Sequence, residues 1–347
     1  MTDEMPVYPF SAIVGQDDMK AALLANIIYP SIGGVLIRGE KGTAKSTAVR
    51  AIADLLPQRR VVRNCAFQCD FLDTRNLCTS CRERIAEGEV LEPVTVKMRV
   101  VELPLSATED RVVGSLDIEH AITKGRKQFE PGVLALANGN ILYVDEVNLL
   151  DDHIVDLLLD AAAMGTNFVE REGISYSHPS RFMLVGTMNP EEGDLRPQLL
   201  DRFGLAVDVE GEKDAGRRAE IIRRRLAFER DPAGFCQRYE AQQEDIRQRI
   251  ERAKELVTHI EPDEKLLRTA VAISLLLGVD GHRSDLTLVK SAIAFAALEG
   301  RSSVKEEDIV TAARLSLPHR MRRQPFEESR MEFETIRSVI AESFGGP

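Results

Sequence analysis

The order of apolar and polar positions along the chain divides it into two parts. Up to about residue 210, short apolar runs alternate with helical patterns, which predicts an α/β domain with a largely parallel, buried sheet. The predicted strands are GVLIRG (34–39), MRVVELPL (98–105), NILYVD (140–145), RFMLVGTM (181–188) and LAVDVE (205–210). Helical patterns lie at 16–29, 45–55, 118–123, 131–138 and 151–164.

Beyond residue 213 the strand signals stop, and long helical periods take their place. Helices are predicted at 214–230, 240–259, 263–277, 285–298, 305–316 and 327–343. The change of pattern predicts three parts. These are a core domain over 1–213, a helical connector over 214–260 and an all-helical C-terminal domain over 261–347.

One glycine-containing loop carries the strongest chemical signal. In GVLIRGEKGTAKST a strand, a loop and a helix start follow one another in the order that a phosphate-binding P-loop requires. Loop N–H groups and the helix dipole would bind the phosphates of ATP, with Lys45 on the β- and γ-phosphates and Ser46 on Mg²⁺. A chance match in a glycine-bearing turn is the alternative. The predicted nucleotide contacts are Gly39, Glu40, Lys41, Gly42, Thr43, Ala44, Lys45, Ser46 and Thr47.

The loop departs from the usual P-loop pattern at one position. Ala44 stands where G-x-x-x-x-G-K-[ST] has its second glycine. Because alanine is strained at positive φ, we expect no left-handed residue at position 44. Gly42 is expected to adopt the most permissive conformation of the loop instead.

Two carboxylates and one amide follow predicted strands. ILYVDEVN places Asp145 and Glu146 at the carboxyl end of a buried strand, where open α/β sheets bind ligands. Asp145 would hold Mg²⁺ through water, and Glu146 would orient or deprotonate the attacking water. Asn189, in RFMLVGTMNP, would hold the same water if the two strands are neighbours. The alternatives are an Asp-Glu pair that begins a solvated loop and an ordinary Asn-Pro turn.

Arg202, in LRPQLLDRFG, follows an apolar helical turn at the rim of the predicted domain. An exposed arginine there would supply positive charge to the nucleotide of a neighbouring subunit, an effect worth roughly 10³–10⁵ in rate in well-studied NTPases. An ordinary ion pair with Asp201 or Asp208 is the alternative. The basic segment HRMRRQ (319–324) is interpreted as a solvated helix end.

Composition and charge exclude several classes of protein. Hydrophobic residues make up 44% and charged residues 29% of the chain, as in soluble globular proteins. The formal net charge of −11 argues against a nucleic-acid partner, which requires a dense positive surface. MTDEMPVYPF does not have the pattern of a signal peptide, and no apolar run approaches the roughly 20 residues of a membrane span. We expect a cytoplasmic protein without a membrane segment.

Four of the 5 cysteines are close together in a segment at about 63–90. The pattern Cys65-x₃-Cys69-x₈-Cys78-x₂-Cys81 suits a four-thiolate site for zinc or, less well, an iron–sulfur cluster. Unpaired loop cysteines or a redox-sensing dithiol are the alternatives. The neighbouring polar residues predict that this segment is a surface loop and not part of a core.

Together these motifs resemble AAA+ ATPases, and more narrowly the ATPase motor subunits of magnesium chelatase. SAIVGQDDMKAAL, GEKGTAKST, ILYVDEVNLL, GTMNPEEGDLRPQLLDRFG and DGHRSDLT carry the resemblance, which covers about 9–320. It implies a P-loop AAA+ three-layer core with a parallel sheet and an all-helical lid. It also implies that Glu146 is the base, Asn189 the first sensor, Arg202 an arginine finger acting in trans and Arg283 the second sensor.

The resemblance further implies partners that the composition does not show. These are a homo-oligomeric ring, expected to be a hexamer, a second AAA+-type subunit, and a large porphyrin-binding subunit that inserts Mg²⁺ into protoporphyrin IX. The alternatives are a motor for another metal such as cobalt, or a DNA-directed or remodelling AAA+ ATPase. Two segments that fit insertions of this family would point toward a ring pore or a partner, one with Lys124 to Lys127 and one with Arg171-Glu172-Gly173 at a hairpin tip. Ordinary loops without such a role are the alternative.

Overall fold

The computed structural model describes residues 6–117, 128–171, 174–279 and 281–321, together with 336 and 338. The chain divides into two compact units, one of Met1–Ala48 with Asn189–Pro347 and the other of Val49–Met188. The predicted domain boundaries at 213 and 260 stay a prediction.

The strands are β1 (Gly34–Gly39), β2 (Arg59–Val62), β3 (Pro93–Val96), β4 (Val100–Glu102), β5 (Gly114–Asp117), β6 (Gln128–Pro131), β7 (Ile141–Val144), β8 (Thr166–Arg171), β9 (Ile174–Pro179), β10 (Met183–Met188) and β11 (Phe203–Val209). The helices are α1 (Asp17–Ile28), α2 (Lys45–Leu55), α3 (Thr79–Ala86), α4 (Glu109–Val113), α5 (Val133–Ala137), α6 (Asp152–Met164), α7 (Pro197–Leu200), α8 (Ala215–Arg230), α9 (Pro232–Leu256), α10 (Glu264–Leu276), α11 (His282–Leu298) and α12 (Glu306–Ser316). Every predicted strand is present: β1 has the predicted ends, and the other four are shifted at one end or at both.

The first unit contains one parallel strand pair and the C-terminal helices. β1 pairs with β11 in parallel, and Val35, Leu36 and Ile37 lie opposite Leu205, Ala206 and Val207. These apolar residues are buried, as expected for a strand covered on both faces. Helix α11 is buried along most of its length because α1, α9, α10 and α12 pack around it. This confirms the predicted helical C-terminal region.

The second unit contains three parallel strands with β7 in the middle. β7 pairs with β10 on one side and with β4 on the other, and all its residues are buried. This parallel pairing places the carboxyl ends of β7 and β10 at the same edge of the sheet. The two strands that precede Asp145 and Asn189 are therefore neighbours, as the sequence-based argument for a shared water required.

Three antiparallel strand pairs also belong to the second unit: β2–β3, β5–β6 and β8–β9. The predicted hairpin at Arg171 is confirmed, because Arg171 in β8 lies opposite Ile174 in β9. Its tip residues 172 and 173 lie outside the described residues. So do the predicted helix at 118–123 and the run from Lys124 to Lys127.

Two predicted helices start earlier in the structure than the sequence pattern indicated. The helix expected at 240–259 begins at Pro232, because Asp231 accepts a hydrogen bond from Gly234 N–H and proline suits the first turn. The helix expected at 285–298 begins at His282. Of the helix expected at 327–343, only 336 and 338 are described. None of the described helices has the length and apolar character that a membrane span requires.

Candidate functional site

The predicted phosphate-binding loop leaves β1 at Gly39 and enters helix α2 at Lys45. A Cβ atom at Gly39 would overlap the carbonyl oxygen of Val209 on the paired strand, so only glycine fits there. Gly42 has a φ of +85° and open space around it, which confirms the permissive conformation expected at this position.

The expectation for Ala44 was wrong. Its φ is 62°, in the left-handed region, although an L-residue pays roughly 1–2 kcal/mol there. The short loop between β1 and α2 imposes this conformation against the local preference of alanine, and the Ala44 carbonyl accepts a hydrogen bond from Ala48 N–H at 3.0 Å at the start of the helix. The loop therefore keeps the shape that the missing glycine would have adopted, at some cost in strain.

The Lys45 side chain folds back over the loop. Its Nζ donates hydrogen bonds to the carbonyl oxygens of Gly39 and Glu40, the latter at 3.0 Å. The Thr43 hydroxyl donates to the same Glu40 carbonyl at 2.8 Å. Lys45 is thus held above the loop by acceptors that phosphate oxygens can replace. Ser46 and Thr47 lie half-buried in the first turn of α2.

The predicted acidic residues lie directly after β7 in the second unit. The Asp145 carboxylate is exposed, and its Oδ1 accepts hydrogen bonds from the Tyr143 hydroxyl at 2.9 Å and the Thr187 hydroxyl at 2.6 Å. Thr187 Oγ1 in turn accepts a hydrogen bond from Glu146 N–H at 3.2 Å. One buried hydroxyl therefore orients both acidic residues.

The protonated hydroxyl of Tyr143 is the donor in its hydrogen bond to Asp145. Burial raises the pKa of its hydroxyl well above the ordinary value, and the hydrogen bond to Asp145 raises it further. Glu146 has a left-handed φ of 53°, a conformation that its backbone hydrogen bond to Thr187 helps to hold. Sequence reasoning missed Tyr143 and Thr187; their only signal is that each lies within two residues of a predicted site residue.

Replacing Thr187 by valine tests this orientation. The change keeps the side-chain shape but removes both hydrogen bonds, one of them to a charged group, which is worth about 1.5–3 kcal/mol. We expect kcat/KM for Mg·ATP to fall by about ten- to a hundredfold. Thr187→Ser, which retains the hydroxyl, should stay near wild type. Unchanged kinetics of the valine variant would show that Thr187 does not position the carboxylates.

A cluster of charged residues surrounds Asp201 in the first unit. Asp201 Oδ2 pairs with the exposed Arg283 at 3.0 Å, and Oδ1 pairs with Arg320 at 3.2 Å. Arg320 also donates to the carbonyl oxygens of Asp201 and Phe203. Burial lowers the pKa of the Arg320 guanidinium to about 10, against the raising effect of Asp201.

The interpretation of HRMRRQ as a solvated helix end was therefore wrong for its first two residues. Arg320 is 1% exposed in its side chain, and the buried His319 lies 3.0 Å from the Phe203 carbonyl oxygen. These contacts fix the end of the helical region to β11, whose carbonyl groups need donors. Basic composition alone did not distinguish this role from a solvated face.

Arg202 and Asn189 also belong to the first unit. Arg202 is half-buried between helix α7 and β11, and its N–H donates to the Leu199 carbonyl at 3.2 Å. Asp208, one of the two alternative partners considered for Arg202, pairs with Arg38 at 2.8 Å. Asn189 follows β10 directly, and its Oδ1 accepts a hydrogen bond from Glu191 N–H at 3.3 Å.

The predicted surface loop with four cysteines is instead a small core. Cys69, Cys78 and Cys81 are buried and Cys65 is half-buried, and no disulfide joins them. They pack with apolar residues that the polar neighbours in the sequence concealed: Val62, Phe67, Leu77 and Ala135. Asp70 and Ser80, two of the polar neighbours, are exposed, which is why composition suggested a loop.

Two regions of the chain match models of known protein families. Residues 84–203 match the AAA domain of the dynein-related subfamily, and residues 267–340 match the AAA lid domain. A putative ATPase from Cytophaga hutchinsonii has a similar fold, with 18% identity, a TM-score of 0.62 and coverage of 96% of this chain and 91% of that one. The predicted AAA+ core with a helical lid is confirmed.

Relatives with high identity span nearly the whole chain. The magnesium-chelatase subunit ChlI homolog of Methanocaldococcus jannaschii is 56% identical over 97% of this chain and 91% of its own length. The magnesium-chelatase 38 kDa subunit of Acidiphilium rubrum is 52% identical over 97% of both chains. A chain in a structure of the complex between subunits BchI and BchD of magnesium chelatase is 49% identical, with a TM-score of 0.55 and coverage of 92% of this chain and 97% of that one.

Proposed function

Because this chain belongs to the family of magnesium-chelatase ATPase subunits represented by ChlI and BchI, we propose that the P-loop residues and the Asp145–Glu146 pair serve one ATP. Hydrolysis of that ATP drives insertion of Mg²⁺ into protoporphyrin IX on a separate subunit. The observation that carries the proposal is a P-loop pattern between β1 and α2 and an Asp-Glu pair directly after the buried strand β7, in a chain so similar to chelatase subunits.

The P-loop residues bind the triphosphate in this proposal. Loop N–H groups and the start of helix α2 contact the phosphate oxygens, and Lys45 exchanges its carbonyl partners for the β- and γ-phosphates. The strained φ of Ala44 is offset by those new hydrogen bonds.

The carboxylates supply positioning and proton transfer. Asp145 is exposed and already oriented by Tyr143 and Thr187. Its carboxylate and the Ser46 hydroxyl are oxygen ligands of the kind that Mg²⁺ prefers. When bound, Mg²⁺ neutralises developing negative charge on the phosphates. Glu146 accepts the proton of the attacking water, and the Asn189 amide orients that water.

Two arginines act on the γ-phosphate from different places. Arg283 serves as the second sensor, which requires its ion pair with Asp201 to open because one guanidinium fork cannot serve both partners fully. Arg202, adjacent to Asp201 in the chain, acts as an arginine finger on the nucleotide of the next subunit in a ring. We propose that the ring is a hexamer.

Two further subunits complete the proposed machine. One is a second AAA+-type subunit, as the relative BchI forms a complex with BchD. The other is a large subunit that binds the porphyrin. Zinc or an iron–sulfur cluster at the four cysteines would be an additional group with no part in hydrolysis.

Reconstitution tests the function. Mixed with the two other chelatase subunits of its source, Mg²⁺, ATP and protoporphyrin, the chain should support formation of the fluorescent Mg-porphyrin, because ATP hydrolysis is coupled to insertion. The non-hydrolysable analogue of ATP serves as the control and should give none. Insertion of Co²⁺ but not Mg²⁺ by the same mixture would contradict magnesium as the cargo while leaving the ATPase assignment intact.

A further inference from the structure

The thiols of the cysteine cluster, Cys65, Cys69, Cys78 and Cys81, converge within the second unit. All four Sγ atoms lie within 4.8 Å of one another, and those of Cys65 and Cys78 are 3.8 Å apart. One zinc ion with tetrahedral Zn–S bonds of about 2.3 Å separates its sulfur ligands by about 3.8 Å. A disulfide would require about 2.05 Å. The spacing therefore suits four ligands around one ion.

The surroundings of the cluster suit a structural site. Cys69 and Cys78 are 0% exposed and Cys81 is 1% exposed, among apolar side chains. Four ligands close the coordination shell and leave no position for a substrate, as is typical of structural zinc. Reactive or redox-sensing thiols, in contrast, lie in accessible positions.

Backbone N–H groups already point at two of the sulfur atoms. Cys78 N–H donates to Cys69 Sγ at 3.1 Å, and Cys81 N–H donates to Cys78 Sγ at 3.4 Å. Cys78 is also the N-cap of helix α3, so the positive end of that helix faces its sulfur. Such donors stabilise thiolates and orient them as metal ligands.

The backbone beside two of the cysteines is held in an unusual conformation. Asn64 and Gln68, directly before Cys65 and Cys69, have left-handed φ values of 59° and 47°. Asparagine adopts this conformation more readily than other side chains, but glutamine keeps it only where its surroundings impose it. Coordination of the following Cys69 by an ion would impose it at Gln68.

From this geometry we propose that the cysteine cluster binds one structural Zn²⁺. An iron–sulfur cluster fits less well, because its irons and sulfides stand between the cysteines and push the four Sγ atoms farther apart than a single ion does. The site does not depend on the proposed ATPase chemistry, since none of its ligands belongs to the nucleotide residues.

The zinc would brace two hairpins through Phe67, which lies between the first two ligands. The Phe67 ring centroid is 6.1 Å from that of Phe129 in β6, 5.7 Å from Tyr176 and 4.7 Å from His178, both in β9. Phe129 and Tyr176 also stack on each other at 4.4 Å. Fixing the cysteine loop therefore fixes the Phe67 ring, against which aromatic residues of the β5–β6 and β8–β9 strand pairs pack.

Metal analysis of the full-length chain tests the site. Protein purified without chelator should contain about one zinc per chain by mass spectrometry. The double variant C78S/C81S should contain at least about tenfold less zinc. The control variant C236S, which changes a cysteine on helix α9 outside the cluster, should keep its zinc. Cys81→His should retain zinc, because three thiolates and one imidazole also form a structural zinc site. Retention there separates loss of a ligand from loss of folding.

Hydrogen exchange of the wild-type protein tests the bracing role. Removing zinc with an organomercurial reagent should increase exchange in β6 and β9 several-fold, because Phe129, Tyr176 and His178 in these strands pack against Phe67 of the cysteine loop. β1 and β11, which belong to the other unit, serve as the reference and should stay unchanged. Visible iron–sulfur absorbance after anaerobic purification would overturn the assignment to zinc. Four freely titratable thiols without metal, or a disulfide among them, would overturn the metal site itself.

Discussion

Replacing Glu146 by glutamine is expected to leave ATP binding intact and to reduce steady-state hydrolysis by at least about a hundredfold. Glutamine keeps the shape of the side chain and the backbone hydrogen bond to Thr187, but it cannot accept the proton of the attacking water. Binding of a fluorescent ATP analogue and phosphate release measure the two effects separately.

Glu229→Gln provides the matched control for this variant. Glu229 lies on helix α8 in an exposed ion pair with Arg225, so the same chemical change there should leave hydrolysis near wild type. Near-normal turnover of the Glu146 variant would contradict its assignment as the base. Loss of ATP binding in that variant would instead indicate that Glu146 shapes the nucleotide site.

The elements that carry the site could be predicted because their patterns are local. The apolar runs at 34–39 and 140–145 predict buried strands without any knowledge of their neighbours in the fold. The residues that follow these runs must then lie at strand ends. The start of α2 at Lys45 was also predictable, because the P-loop pattern fixes it. Local periodicity and one motif therefore place most candidate residues.

What the sequence could not predict depends on long-range contacts. Arg320 is buried because Asp201 and the carbonyl groups at the start of β11 surround it, more than a hundred residues away in the chain. The cysteines are buried because Phe129 and Tyr176, from two strand pairs that are distant in the sequence, pack against them. Ala44 is left-handed because the loop geometry overrides its own preference. In each case tertiary structure opposes the local signal.

The second large effect concerns Arg202. Arg202→Ala is expected to lower hydrolysis by roughly a thousandfold or more, since an arginine finger stabilises transition-state charge that no other group replaces. A loss of this size alone would not distinguish action on the neighbouring subunit from action within the same chain. Mixing subunits with different defects makes that distinction.

Mixtures of Arg202→Ala and Glu146→Gln subunits should recover activity. Where an Arg202→Ala subunit provides the catalytic glutamate and its Glu146→Gln neighbour provides the arginine, the shared site is intact, which applies to about a quarter of interfaces in a random ring of equal parts. Mixtures of Lys45→Met and Glu146→Gln should stay inactive, because the same subunit supplies both Lys45 and Glu146 to a site. Every site in such a mixed ring therefore lacks one of the two side chains. Failure of the first mixture despite demonstrated co-assembly would contradict a trans role, because the arginine that a neighbour supplies would then be unable to complete the site.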